Sequence, residues 1–182
     1  MQRLRKHRKQ DGFTLLETVV AMGVLVFGVL SLSTIFTAGL QSSNKSQIQF
    51  IAQQKAQEAL ESIFTARDTQ ILSFAQINNV SVGGVFKDGP QPLLNPGPDG
   101  IVGTADDDTT QPDGITIGPG PDNVFGTADD QVIPLNPWMT RTIAFTPVNG
   151  TPNLNQITVT INYTYQGQSG TFVLTSYISN YS

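Results

Sequence analysis

The chain has 182 residues, no cysteine and one histidine, His7, and it carries 14 acidic against 10 basic residues. The lack of cysteine excludes disulfides and thiolate metal sites. The only histidine lies in a basic N-terminal stretch, so the rest of the chain has neither histidine nor cysteine. Most nucleophile–base pairs and the usual zinc sites need one of these two residue types, and they are therefore excluded as well. Composition therefore predicts that the protein is not an enzyme.

The N-terminus combines a basic leader with a long apolar run. Residues 1–12 contain five basic residues and one acid, Asp11, whereas residues 19–32 contain no charge and a single polar residue, Ser31. As a helix, residues 13–40 would be about 42 Å long, which exceeds the roughly 30 Å of a membrane's hydrocarbon core. The positive-inside rule predicts that residues 1–12 are cytoplasmic and that everything after residue 40 lies outside.

Glu17 is the one charged residue between Asp11 and Lys45. A carboxylate within a membrane-spanning run costs about 3 kcal/mol on insertion scales, so it is a functional candidate. An ordinary single-pass anchor is the alternative interpretation. That alternative explains the leader and the apolar run, but it does not explain a carboxylate four residues beyond Phe13.

The junction Gly12-Phe13-Thr14-Leu15-Leu16-Glu17 resembles the N-terminus of type IV pilin-like proteins, which include pilins, minor pilins and the pseudopilins of type II secretion. The resemblance covers about residues 8 to 40 and favours a minor pilin or pseudopilin. It implies that a prepilin peptidase cuts after Gly12, that the new N-terminal Phe13 is methylated, and that Glu17 takes part in assembly. The implied partners are other pilin or pseudopilin subunits, the prepilin peptidase, an inner-membrane assembly platform and membrane lipid.

Removal of the leader changes the charge of the chain. It takes away five of the 10 basic residues and one of the 14 acidic residues, which leaves 13 acids, five bases and a net charge of −8. Phosphate binding needs clustered lysine and arginine, so no nucleic acid partner is expected. The resemblance implies a single-pass inner-membrane protein before assembly and a periplasmic or extracellular filament afterwards.

Beyond the leader the sequence predicts three regions: a helix at 13–67, a loop-rich region at 68–137 and an antiparallel β-sheet at 138–182. The helix is expected to span the membrane to about residue 40, and apolar residues then recur at helical spacing. These residues are Ile48, Ile51, Ala52, Ala56, Ala59, Leu60 and Ile63. Such a stripe must pack on another element, and the C-terminal sheet is the expected partner.

The loop-rich region contains an internal repeat. Residues 97–107 return as residues 120–130, with eight of eleven positions identical. From residue 88 to residue 130 there are nine Asp and no Lys, Arg or Glu. Each copy of the repeat carries one Asp near its start and an Asp pair at its end. These are Asp99, Asp106 and Asp107 in the first copy, and Asp122, Asp129 and Asp130 in the second.

The six repeated Asp residues are candidate metal ligands, and calcium is the expected cofactor. Calcium takes about six to eight oxygen ligands, which loops rich in Gly and Asp can supply, and some pseudopilins bind calcium in an Asp-rich loop. An EF-hand is excluded because the region contains no Glu. The alternative is a solvated acidic surface whose Asp residues make Asx-turns. The repeat favours calcium, because turn formation alone does not require the same Asp pair twice.

The third region is predicted to form three antiparallel strands, at residues 139–145, 158–165 and 171–178, because polar and apolar residues alternate there. Residues 166–170 would form the turn between the last two strands. A fourth strand is expected at 80–86. Trp138, Phe145 and Phe172 are interpreted as core residues without a binding role.

The sequence as a whole predicts an α+β, pilin-like fold: a long N-terminal membrane-spanning helix packed on a small antiparallel β-sheet, with an Asp/Gly/Pro-rich loop region. The resemblance implies a structural subunit of a type IV pilus-like or pseudopilus filament. In it, the ammonium of Phe13 would pair with Glu17 of a neighbouring subunit, an interaction of about 4 kcal/mol at 4 Å and an effective dielectric of 20. The alternative is a membrane-anchored, calcium-dependent adhesion or surface module that uses the pilin export route.

Overall fold

A computed structural model describes residues 12–165 and 167–180. The chain divides into an N-terminal unit, Met1–Asn44, and a C-terminal unit, Lys45–Ser182. The layout is α+β, as predicted, with one long helix, α1 (Leu15–Asp68), followed by β-strands. The helix agrees with the predicted range of 13–67, and the left-handed backbone of Gln70, with φ of 59°, follows its end.

Eight strands follow the helix within residues 12–165 and 167–180. They are β1 (Gln91–Pro92), β2 (Leu94–Asn95), β3 (Asp108–Pro112), β4 (Gly114–Gly118), β5 (Gln131–Pro134), β6 (Met139–Pro147), β7 (Leu154–Tyr165) and β8 (Gln168–Ser179). Strands β1, β6, β7 and β8 form one antiparallel sheet in the order β1-β6-β7-β8, whereas β2 pairs with β3 and β4 pairs with β5. The three predicted strands of the C-terminal region are confirmed, and each is longer than its pattern indicated.

The amphipathic stripe on the C-terminal half of α1 is confirmed. Its buried residues are Ile48, Ala52, Ala56, Ala59, Leu60, Ile63 and Ala66, and Ile51 is half-buried. These side chains share one hydrophobic core with the inner residues of the sheet, such as Ile143, Val159 and Ile161. Because four of the seven buried helix residues are alanine, the helix can approach the sheet closely.

The fourth strand of the sheet is not at residues 80–86, where it was predicted. Val80–Val82 forms a 3-10 helix instead, and β1 is the fourth strand. The physical reason is the side chain of Asn79: its Nδ2 donates to the carbonyl of Ile143 at 2.8 Å, and its Oδ1 accepts from the amide of Phe145 at 3.1 Å. This side chain takes the edge hydrogen bonds of β6 that a strand at 80–86 would have used.

The loop-rich region, predicted at residues 68–137, is more regular than expected, because it contains the β2–β3 and β4–β5 hairpins as well as β1. Of the predicted core aromatics, Phe145 is buried and its ring lies 5.0 Å from that of Phe86. Trp138 and Phe172 are only half-buried, at the margin of the core. Trp138 lies in the turn before β6, and Phe172 lies on β8, the last strand of the sheet, so neighbouring strands do not cover either residue on every side.

Candidate functional site

The N-terminal candidate site is the short segment before α1. Gly12, Phe13 and Thr14 precede the helix, and Thr14 caps it: the amide of Glu17 donates to Thr14 Oγ1 at 3.3 Å, and the amide of Thr18 donates to the Thr14 carbonyl at 3.2 Å. Thr14 followed three residues later by Glu17 is a capping-box pattern. Glu17 therefore also places negative charge at the positive end of the helix dipole, a role that sequence reasoning missed although the pattern was readable.

Gly12 has no structural reason to be glycine. A Cβ built at this position would meet no atom within 4 Å, and its backbone does not adopt a positive φ. The same open space surrounds Gly23, Gly28 and Gly39 along the helix. Within the described residues, packing therefore places no restriction on the side chain at Gly12.

The apolar side chains of α1 are exposed in the N-terminal unit. Every large apolar side chain from Phe13 to Leu40 is at least 51% exposed. The helix is long and apolar enough to cross a membrane. Its hydroxyl groups bond to the helix itself: Ser31 Oγ donates to the Phe27 carbonyl at 2.8 Å and Ser33 Oγ to the Val29 carbonyl at 2.9 Å. Because these hydroxyls need no external partner, the run is compatible with a hydrocarbon environment.

The second candidate site consists of the two repeat copies, which form the tips of two successive hairpins. Residues 97–107 connect β2 to β3, and residues 120–130 connect β4 to β5. Each copy is therefore closed by its own pair of strands. The sequence predicted the repeat, but it did not predict that the repeating structural unit is a hairpin.

The first and last Asp of each copy accept backbone hydrogen bonds at the same positions. In the first copy, Asp99 Oδ1 accepts from the amide of Ile101 at 2.8 Å, and Asp107 Oδ2 accepts from the amide of Gly103 at 2.9 Å. In the second copy the corresponding acceptors are Asp122 Oδ1 and Asp130 Oδ2, whose donors are the amides of Val124 at 2.9 Å and Gly126 at 2.7 Å. The two tips thus have the same internal hydrogen-bond pattern.

The middle Asp of each copy is held by a threonine. Thr104 Oγ1 donates to Asp106 Oδ1 at 2.6 Å, and Thr127 Oγ1 donates to Asp129 Oδ1 at 2.6 Å. These hydroxyls are the main cause of the lowered pKa of Asp106 and of Asp129, to which hydrogen bonding with the first Asp of the same copy also contributes. The first and middle carboxyl groups of each copy therefore lie close together.

Glycine is required where each tip closes on itself. A Cβ at Gly97 would collide with the carbonyl oxygen of Asp106, and a Cβ at Gly120 would collide with that of Asp129. The identity of the repeat at these positions is thus explained by backbone contact within each copy. This part of the repeat does not by itself point to a ligand.

The two tips differ in their surroundings. In the first copy Ile101 and Val102 belong to the core and are 2% and 1% exposed. In the second copy the equivalent Val124 and Phe125 are 54% and 66% exposed. The tip of the first copy is therefore buried in the core, and the tip of the second copy is exposed to solvent. The sequence did not indicate this difference.

One carboxylate oxygen is left without a partner at the same position of both tips. Asp107 is only 5% exposed, and its Oδ1, like Oδ1 of Asp130, is buried and accepts no hydrogen bond from the described part of the chain. Burial is the main reason why the pKa of Asp107 is raised. A cation or a water molecule would satisfy both oxygens.

Across residues 12–165 and 167–180, no three acidic or histidine side chains converge on one point. A cation at either tip would therefore take most of its ligands from backbone carbonyls, hydroxyls and water, which calcium accepts. With so few carboxylates in contact, the affinity of such a site is expected to be modest. The six predicted ligands fall into two separate tips of three Asp residues each, and the structure does not bring the two sets into one cluster.

A buried ionic cluster in the C-terminal unit was missed by sequence reasoning. Lys55 on α1 contacts Asp113 at 2.8 Å and Glu58 at 2.7 Å, and Asp113 is 5% exposed. Burial opposes the charge on Lys55, but the two carboxylates outweigh it and the pKa of Lys55 is raised. Arg141 is 2% exposed, with Nη1 unpaired within the described residues. No sequence signal links Lys55 to Asp113, because 58 residues separate them.

Comparison with known proteins gives one match. Residues 7–38 match the family model of the prokaryotic N-terminal methylation motif. No curated protein and no solved structure matches the chain. The matched residues include the Gly12–Phe13 junction, Glu17 and most of the apolar run, and they stop before the hairpins and the sheet. The chain therefore carries, at its N-terminus, the methylation motif that marks the type IV pilin-like family.

Proposed function

We propose that this protein is a structural subunit of a type IV pilus-like or pseudopilus filament. In the proposal, α1 anchors the chain in the inner membrane, a prepilin peptidase cuts after Gly12, and Phe13 is methylated at its new amino group. The observation that carries the proposal is the bare apolar run, in which every large apolar side chain from Phe13 to Leu40 is at least 51% exposed. Lipid covers this surface in the membrane, and the same helix of other copies covers it in a filament.

Glu17 supports assembly rather than simple anchoring. Its carboxylate has no hydrogen-bond or ion-pair partner within the described residues, and lipid cannot supply one. Cleavage after Gly12 creates an ammonium group on Phe13 of each copy. The ammonium of one copy and Glu17 of the next interact by about 4 kcal/mol at 4 Å and an effective dielectric of 20. Because this contact is head-to-tail, it propagates as a helical filament.

Gly12 supports the proposed processing. Because nothing in the described structure restricts its side chain, the glycine is explained by an external requirement, namely a peptidase cleft that accepts bare backbone. The methylation motif matched by residues 7–38 agrees with processing of this kind. The same motif points to a structural rather than a catalytic protein.

Calcium at the hairpin tips is a second part of the proposal. It is favoured by the unpartnered Oδ1 of Asp107 and of Asp130, which occupy the same position in the two copies. In the described residues, at most one of the other two candidate carboxylates of each tip, Asp99 and Asp106 or Asp122 and Asp129, lies close enough to share a cation with this oxygen. In a chain without cysteine, a bound cation would stabilise the hairpins because metal binding adds to the folding free energy.

The experiment that tests the filament proposal combines processing with assembly. The full chain is produced in cells that contain a prepilin peptidase and a filament assembly system, and its mature form and sheared filaments are analysed by mass spectrometry. A mature chain that begins at N-methylated Phe13 and is present in the filaments is the expected result. Gly12→Val is expected to stay full-length in the membrane, whereas the matched control Gly23→Val is expected to be processed. A mature chain that begins elsewhere would refute the proposal.

A further inference from the structure

One edge of the four-stranded sheet is a long strand that has a neighbouring strand on one side only in the described residues. Strand β8 (Gln168–Ser179) has 12 residues and pairs with β7 along its whole length on one side. On the other side it is the end of the sheet, and no backbone group from Gly170 to Ile178 bonds outward to residues 12–165 or 167–180. Such an edge presents a row of unpaired N–H and C=O groups, which is a template for another strand.

The opposite edge of the same sheet is protected. Strand β1 covers part of β6, with Gln91 opposite Arg141 and Pro92 opposite Thr140. Farther along β6, the side chain of Asn79 bonds to the backbone of Ile143 and Phe145. Edge protection of this kind prevents strand pairing. In the described structure, then, one edge of the sheet is shielded and the other is open.

The open edge is also free of charge. Strands β6, β7 and β8 contain one charged residue, Arg141, whose side chain is 2% exposed on the inner face. The rest of the unit is acidic: from Lys45 onward the chain has 12 acids, since Asp11 and Glu17 lie before it, and five bases. Natural edge strands are commonly protected by lysine, proline or a bulge, and β8 contains no charged residue and no proline.

The outward side chains of β8 form a neutral surface next to this edge. Thr171, Val173, Thr175 and Tyr177 are exposed, with Val173 at 54% and Tyr177 at 55%. Across β7 their neighbours are Asn162, Thr160, Thr158 and Gln156. Two acidic copies of this chain repel each other over most of their surfaces, but not here.

We propose that β8 pairs antiparallel with β8 of a second copy of this chain, so that two sheets join into one. A second copy is favoured as the occupant because the edge is neutral, although the rest of the unit is acidic. The edge therefore does not repel another acidic chain, and it has no carboxylates that would attract a basic partner. The pairing joins β8 to β8 because the opposite edge of the sheet, where β1 and Asn79 cover β6, is shielded. Backbone hydrogen bonds supply the contact, as in other cases of strand addition.

This contact has different symmetry from the proposed assembly through α1. A β8–β8 pair is isologous and closes on itself, whereas a head-to-tail contact propagates. The β8 contact would therefore link copies laterally, either in the membrane or between filaments. It does not depend on cleavage or on filament formation, so its failure and the failure of the filament proposal can be told apart.

The test uses the fact that the full chain contains no cysteine. Single cysteines are introduced at each position from residue 171 to residue 177, and dimers are trapped by mild oxidation of the detergent-solubilised full chain and of membranes. Directly opposed residues of an antiparallel pair have Cβ atoms about 4.5–5.5 Å apart, close to the separation that a disulfide needs. The dimer yield is therefore expected to peak at the one position nearest the two-fold axis.

Gln57→Cys is the matched control, because Gln57 is also uncharged and exposed but lies on α1. The peak yield is expected to exceed that of Gln57→Cys about tenfold. A lysine is then added to the cysteine variant at the peak, as Thr175→Lys or, if the peak falls at residue 175, as Thr171→Lys. It is expected to lower the peak about tenfold or more, because both copies carry the lysine and two like charges then repel each other at the contact. Gln57→Lys adds the same charge elsewhere and is expected to leave the peak unchanged.

Two outcomes would overturn the proposal. One is a yield along β8 that does not exceed the yield of Gln57→Cys. The other is a peak that survives Thr175→Lys and Thr171→Lys while Trp138 fluorescence shows that the variants remain folded. A peak found in membranes of the Glu17→Val variant would establish the lateral contact independently of assembly through α1.

Discussion

Replacement of Asp107 by asparagine should separate the two interpretations of the repeat. Asp107 is 5% exposed and its Oδ1 is unpartnered within the described residues, whereas its Oδ2 accepts from the amide of Gly103 at 2.9 Å. Asparagine keeps the size of the side chain and an acceptor for Gly103, but it removes the charge. We expect Asp107→Asn to have little effect on stability without calcium and to abolish the stabilisation that calcium gives at this tip.

The magnitudes follow from the burial of Asp107. Without a cation, the unpartnered buried oxygen costs about 1–3 kcal/mol, and the amide group of asparagine would be unpartnered at the same place. The substitution also removes a buried charge, and the loss of attraction to Arg141 offsets part of that gain. The free energy of unfolding of Asp107→Asn in chelator should therefore lie within about 1 kcal/mol of the parent chain. At a hundredfold excess over its Kd, calcium stabilises a folded site by about 2.7 kcal/mol. For a chain of this size that is a rise in Tm of roughly 5–10 °C.

The assay is thermal unfolding of the detergent-solubilised full chain, followed by the fluorescence of its single tryptophan, Trp138, in millimolar calcium and in chelator. Asp108→Asn is the matched control: it removes one charge from the adjacent residue, whose Oδ1 accepts from the amide of Thr110 at 2.8 Å and from its hydroxyl at 2.6 Å. The control is expected to keep the full calcium gain. Asp130→Asn reports on the second tip in the same way.

The pH dependence of the calcium gain provides a further check. Burial raises the pKa of Asp107, so the calcium-free fold loses stability as the pH rises through this raised value and the carboxylate ionises. Calcium binds the ionised form. The calcium gain should therefore be present at neutral pH and be lost as the pH falls through the raised pKa. A Tm that calcium does not change would show that the repeat is only an acidic, turn-rich surface, and a full gain in Asp107→Asn would place the cation elsewhere.

Two further predictions concern single residues. Glu17→Val should insert into the membrane normally but enter sheared filaments far less, because the Phe13 ammonium loses its partner. Glu17→Gln, which keeps the size of the side chain and removes its charge, should show the same defect by quantitative mass spectrometry, and normal incorporation of Glu17→Gln would rule out the ion pair. Lys55→Met should lower the free energy of unfolding by about 3–5 kcal/mol in urea titrations, because Asp113 stays buried without its cation. Adding Asp113→Leu should recover most of that loss, and a loss below about 1 kcal/mol in Lys55→Met would contradict the role of the pair.

The elements set by local patterns were predictable. The apolar run, the helical stripe from Ile48 to Ile63 and the alternating strands depend on residues close together in the chain, and the structure confirms them. The junction around Gly12 and Glu17 is readable for the same reason, and the family model matches it. The Asp repeat was visible as sequence identity, although its ligand stays a proposal.

Other features depended on contacts between distant residues. A strand at residues 80–86 fits the local pattern, but Asn79 takes the edge of β6 through bonds to Ile143 and Phe145, which lie 64 and 66 residues away. The burial of Ile101 and Val102 and the exposure of Val124 and Phe125 arise in nearly identical loops. All four side chains are apolar, so the sequence did not indicate which pair would be buried, and the position of each hairpin relative to the core decides it.

The sequence by itself determined the long apolar run, the N-terminal methylation motif, the acidic repeat and the α+β layout, because charge, periodicity and identity are properties of the chain read in order. The tertiary structure decided which Asp oxygens are buried without partners, that Lys55 meets Asp113, and that β8 is left as an open edge. Those outcomes depend on which surfaces the folded chain brings together and which it leaves uncovered. Burial and pairing across tens of residues have no local signature, because the same side chain is solvated or desolvated according to what packs against it.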